Sequence, residues 1–258
     1  MTEQTALDRA FLALESDPDD TTARLRYFER VMDAEVFVPM AGGNEEAVTP
    51  VSEVMDGVEY VLAFDLEQHL ADDAGGLMDY FTVSGRGLVE MLVGQGAGVL
   101  LNKGQRSENA VAPETIEWLA QMSGVTPDMV DDTPEELLPP LGLDEGLILA
   151  LDAKFSTMRG LASHATLVMA RYADDRKQPL VGVFGALEDA QPDIARAVTE
   201  AAQFSGAELD AVDLVFLPTD HAVAGKMDAV GLKFQIPRAE VPQQVAPGSD
   251  PAKPPRLN

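Results

Sequence analysis

The chain has 258 residues, with 18 Lys and Arg against 44 Asp and Glu, a formal net charge of −26, and no cysteine. The lack of cysteine excludes disulfides, thiolate-bound zinc, iron–sulfur clusters and thiol catalysis. The negative charge, with no Lys/Arg cluster to offset it, argues against nucleic acid or an anionic membrane as partner.

The opening reads as an α-hairpin. Leu7, Phe11 and Leu14 recur at helical spacing over residues 5–15, and Asp17-Pro18 makes a turn. Asp20 or Thr21 can cap a second helix that runs to Asp33, with Leu25, Phe28 and Val31 inward.

Strands follow. Glu35–Val38 alternates and is expected to end at Pro39, with 40–50 a loop around Gly42-Gly43. Glu59–Phe64, Met78–Val83 and Val99–Asn102 are the next strands. Asp65, three residues before Gln68, has the spacing of a capping box, which predicts a helix to Ala71. Ser84 can cap a helix over Gly87–Val93, and Pro113 starts another that ends at Gly124.

Residues 126–146 hold four prolines, seven acidic and no basic residues. This is an acidic linker with at most one helical turn, at Pro134–Leu138. Leu147, Leu151, Phe155 and Met158 then mark an amphipathic helix. Ala165–Tyr172 and Leu180–Phe184 form a strand pair around a polar turn. A helix from Pro192 to Phe204 and strands at Val212–Leu217 and Leu232–Ile236 complete the second half.

The expected fold class is α+β: two mixed α/β domains, each a small sheet packed with helices. The expected boundaries are 1–125 and 147–240, joined by the acidic linker, with a disordered proline-rich tail at 241–258. Acidity concentrates in the first part. Residues 1–125 carry 7 basic and 23 acidic side chains, whereas 147–258 carry 11 and 14.

Each chemical motif has a plainer structural explanation beside it. Gly94, Gly96 and Gly98 follow a helix and precede a strand, the reverse of a dinucleotide-binding loop. Ser84, Gly85, Arg86 and Gly87 do lie between strand and helix, where a helix N-terminus can hold an anion. Glu67, His69, Asp72 and Asp73 can be drawn as a metal cluster, but serve equally as a solvated polar face. Asp220-His221 lacks a nucleophile. Ser163 and His164 are adjacent in an extended segment, so no dyad is assigned. The acidic run from Asp128 to Glu145 lacks the spacing of a calcium loop. Pro251 to Arg256 contains a P-x-x-P-x-R string of the kind that docks polyproline-binding grooves.

With these elements laid out, the sequence resembles the bacterial SseB family. The carrying residues are Val36-Phe37-Val38-Pro39, Val61–Phe64 followed by Asp65-Leu-Glu-Gln-His-Leu70, Gly98-Val-Leu-Leu-Asn102, and Ala112-Pro113-Glu-Thr-Ile-Glu-Trp118. Residues 5–122 look like the family's N-terminal domain. Residues 143–237 are similar to its C-terminal domain through the 147–158 helix, Ala165–Tyr172 and Val212–Pro218. The sequence departs from the pattern at Asn102, which is followed by Lys rather than Pro. The family name reflects enhanced serine sensitivity. The resemblance implies no catalytic residues to carry over.

The resulting expectation is a cytoplasmic, non-enzymatic binding or regulatory protein. It would recognise a protein or small metabolite between its domains or on a sheet surface. The binding candidates are Ser84, Gly85, Arg86, Gly87, His164 and His221, with no metal and no cofactor. The alternatives are a metabolite-binding enzyme or sensor with an unrecognised site, and a secretion-type chaperone. A deep pocket lined by a candidate residue would favour a small ligand, and a flat apolar patch a protein partner.

Overall fold

The computed structural model describes residues 4–44, 47–123, 133–207 and 212–239. The fold is α+β, with eight helices and three small sheets among these residues. The calcium-like run before Thr133, the P-x-x-P-x-R string and the 241–258 tail lie outside the described residues.

Helices α1 (Ala6–Ser16) and α2 (Thr21–Asp33) form the α-hairpin expected from the sequence. Thr5 caps α1 through a reciprocal bond with Asp8, and Asp20 caps α2. Strands β1 (Glu35–Asn44), β2 (Ala47–Pro50) and β5 (Tyr80–Ser84) make one antiparallel sheet. A second sheet has the order β3 (Ser52–Met55), β4 (Val58–Ala63), β6 (Gly98–Leu101), β7 (Asn109–Val111). Phe37 and Phe64 exchange backbone hydrogen bonds of 2.7 and 3.0 Å and join the two sheets.

Here two expectations are corrected. The first strand does not stop at Pro39. Proline lacks an N–H, but its carbonyl accepts from Val51 N–H at 2.8 Å. The chain changes partner from β5 to β2 at an irregular register between Met40 and Gly43. The expected loop is therefore largely a hairpin. Asp65 does not cap the next helix, α3 (Glu67–Ala74), whose N-cap Leu66 makes no side-chain bond. The Asp65 carboxylate is taken up elsewhere.

Helix α4 (Gly85–Leu92) follows β5 directly, capped by Ser84, and α5 (Pro113–Ser123) follows β7. Gly94 and Gly96, at φ +77° and +69°, make the helix-to-strand turn. At Gly98 a Cβ would lie 2.5 Å from the Val111 carbonyl oxygen and 2.6 Å from the Tyr60 ring, so the strand approach requires glycine.

The second half carries a five-stranded sheet, ordered β11 (Asp213–Leu217), β10 (Lys177–Phe184), β9 (His164–Arg171), β12 (Leu232–Gln235). Its fifth strand, β8 (Glu136–Leu138), pairs with β9 and replaces the expected helical turn at 134–138. That segment leaves edge hydrogen bonds on β9 satisfied, which one helical turn would not do. Helices α6 (Glu145–Thr157) and α7 (Gln191–Phe204) cover one sheet face, and α8 (Ala224–Val230) packs on the other.

The halves pack against each other through helices. Phe204 of α7 is buried in the first half's core and meets Trp118 of α5 edge-on, with ring centroids 6.0 Å apart. This contact places α2, α4, α6 and α7 around a common space.

Candidate functional site

Lys154 lies on the inward stripe of α6, among Leu147, Leu151 and Phe155, and its side chain is only 6% exposed. A buried ammonium needs partners. It donates to both oxygens of Asp33 at 2.7 and 2.8 Å and to Glu200 Oε2 at 3.3 Å. Those three bonds use all its N–H groups. Glu29 Oε1 lies 3.7 Å from Nζ, within electrostatic reach but without a hydrogen bond. Burial pushes the Glu29 carboxyl above its ordinary value, with Lys154 and Arg30 opposing.

Arg86 joins the cluster from α4. It bonds to Glu200 Oε2 at 2.5 Å and lies 3.8 Å from Asp33. Two cations thus face three carboxylates contributed by α2 and α7. Beyond Glu29 Oε1, two further polar atoms of this cluster, Glu200 Oε1 and Arg86 Nε, are buried without a hydrogen-bond partner in the protein. Both residues line a cleft of about 610 Å³ between the halves, together with Arg30, Arg196 and Asp65. The sequence pattern missed this group because its members lie on separate helices. The one local signal was a lysine at position 154 inside an apolar stripe.

A second polar network closes the far end of the cleft. Asp65 Oδ1 lies 2.9 Å from His69 Nδ1, and Thr5 Oγ1 donates to Asp65 Oδ2 at 2.5 Å. Asn102 Oδ1 accepts from the Asp65 N–H at 3.0 Å, and Asn102 Nδ2 donates to Ser107 Oγ at 3.1 Å. The φ of Asn102 is +50°, a conformation that asparagine tolerates better than most residues. This ties α1, α3 and the turn after β6 together. Glu67, Asp72 and Asp73 do not converge on His69. Gln68 holds Asp72, and Asp73 faces Lys103 at 3.8 Å. No group of three metal-ligating side chains occurs among the described residues.

Of the six binding candidates taken from the sequence, Arg86 alone reaches the cleft. Ser84 Oγ accepts from Gly87 N–H at 3.1 Å, so it caps its own helix. A Cβ on Gly85 would sit 1.8 Å from the Val31 carbonyl oxygen, which shows how tightly α4 meets α2. His164 stacks on Phe184 at 4.7 Å, with Nε2 3.5 Å from Asp228 Oδ1. Ser163 Oγ is 3.4 Å from His164 Nδ1. Asp228 is already occupied by Thr166 at 2.7 Å and Lys233 at 2.6 Å, an arrangement that pins α8 to β9 and β12. His221 lies apart from all of these, beside α8, with Nδ1 accepting from Val223 N–H at 3.3 Å.

The fold and this cleft define a class: an α+β protein of two packed halves that meet around a charged concavity. Residues 7–118, from within α1 into α5, match the family model of the SseB protein N-terminal domain. The match ends before β8. No curated protein and no solved structure matches the chain. No helix among the described residues is long and apolar enough to cross a membrane.

Proposed function

We propose that this is a cytoplasmic, non-enzymatic binding protein of the SseB family that takes a small charged metabolite in the cleft between its halves. On this reading residues 143–237 are the family's second domain. The carrying observation is the pair of unpartnered atoms on the cleft wall, an acceptor at Glu200 Oε1 and a donor at Arg86 Nε. A ligand with both an ammonium and a carboxylate supplies what each lacks. Arg30 and Arg196 at the cleft add positive charge where the chain as a whole is strongly negative. A volume of about 610 Å³ suits a small molecule with its water. Because Arg86 comes from the first half and Glu200 from the second, a bound ligand would bias how tightly the halves pack.

The enhanced serine sensitivity in the family name makes L-serine the first probe. Isothermal titration of the full chain with L-serine, L-aspartate and succinate tests the reading. Saturable binding that weakens about tenfold or more in Glu200→Gln supports it. No saturation by any of the three, together with co-purification of a stoichiometric protein, would replace it with an adaptor or chaperone reading.

A further inference from the structure

The second half contains a larger concavity, of about 790 Å³, on the sheet face opposite α6 and α7. Its walls are α8, β8 and the edge strand β11. The apolar body is made by Leu137, Leu180, Val215, Leu217, Met227 and Val230.

The polar groups around it are unevenly satisfied. The carboxylates are occupied: Asp213 accepts the Tyr172 hydroxyl, while Glu135 and Glu136 face Arg171 at 3.5 and 3.0 Å. The donors are not. Lys226 has no ion pair among the described residues. His221 accepts from Val223 N–H through Nδ1, which leaves its ring proton on Nε2 in the neutral form. Lys226 and His221 both line the concavity. An apolar chamber with free donors at its rim complements an amphipathic anion, whose chain replaces water inside while its head meets the cation.

We propose that this concavity is a second ligand site, for a small monocarboxylate with an apolar chain, with Lys226 and His221 receiving the carboxylate. The site shares no residue with the cleft between the halves and stands whether or not the cleft binds serine.

The test uses sodium decanoate on the full chain, followed by calorimetry and by displacement of a fluorescent anilinonaphthalene sulfonate. Decanoate is expected to bind saturably and to displace the dye. Lys226→Glu, an exposed position, is expected to weaken decanoate about tenfold without lowering the thermal midpoint. Val230→Trp, which fills the chamber, is expected to abolish binding. Glu200→Gln should leave decanoate affinity unchanged. The proposal is overturned if decan-1-ol binds as tightly as decanoate, if Lys226→Glu binds decanoate like the parent chain, or if no saturation is reached.

Discussion

Lys154 donates two hydrogen bonds to Asp33, at 2.7 and 2.8 Å, across 121 positions of sequence. That contact ties the end of α2 to α6 and so couples the two halves. Its energetic meaning comes from burial. Desolvating a charge is costly, and breaking a buried pair leaves the surviving charges exposed to that cost.

Lys154→Met should therefore destabilise strongly. It leaves Glu29, Asp33 and Glu200 with Arg86 as the remaining cation within hydrogen-bond reach of the cluster. The expected loss is about 3 kcal/mol, read from urea unfolding at neutral pH. Combining it with Glu200→Gln should cost less than the sum of the two single changes, because the second removes a carboxylate that the first orphaned.

Glu29 predicts an acid-side effect of definite sign. Its carboxyl is held above its ordinary value of 4.5, chiefly by burial. The folded state therefore binds the proton more tightly than the unfolded state. The stability linked to this proton is complete below about pH 4.5 and is lost as pH rises through the raised value. Glu29→Gln should remove that loss. Its unfolding midpoint should gain on the parent chain as pH rises above about 4.5 and lose the advantage below that. A constant difference across the range would contradict the assignment.

His164 should titrate below 6.5. Burial is the main cause, reinforced by Lys233 and opposed by Asp228. Asp228→Asn removes the opposing charge and should move the His164 titration further down, as followed by imidazole NMR. The sign for stability is the reverse of Glu29. A histidine whose pKa is depressed in the fold contributes stability above about pH 6.5, which is lost as pH falls through the lowered value.

Gly85→Ala tests the packing of α4 on α2. The new methyl would fall 1.8 Å from a backbone carbonyl oxygen, which cannot rotate away. The helix must shift, at a cost of about 3 kcal/mol or failure to fold. Thermal unfolding checks this. An unchanged midpoint would mean that α4 is free to move.

Much of the architecture was legible in local pattern. The period of Leu147, Leu151 and Phe155 marked α6, and the α-hairpin and the β9–β10 pair followed from periodicity and turn residues. Local signals failed where partner choice mattered. Pro39 looked like a strand end because proline blocks one ladder, yet the chain had a second partner available in β2. Residues 136–138 looked helical or loose, and became a strand because β9 had an open edge. The capping-box spacing at Asp65 was overridden because Thr5 and His69 compete for the same carboxylate.

The sequence alone determined the acidic charge, the lack of thiol chemistry and the alternation of helices and strands, since these depend on composition and near neighbours. Only the tertiary structure decided the site. Glu29 and Asp33 are one helical turn apart, but Arg86, Lys154 and Glu200 reach them from three other helices. Their meeting depends on how Phe204 and Trp118 pack the halves together, and no spacing along the chain encodes that contact.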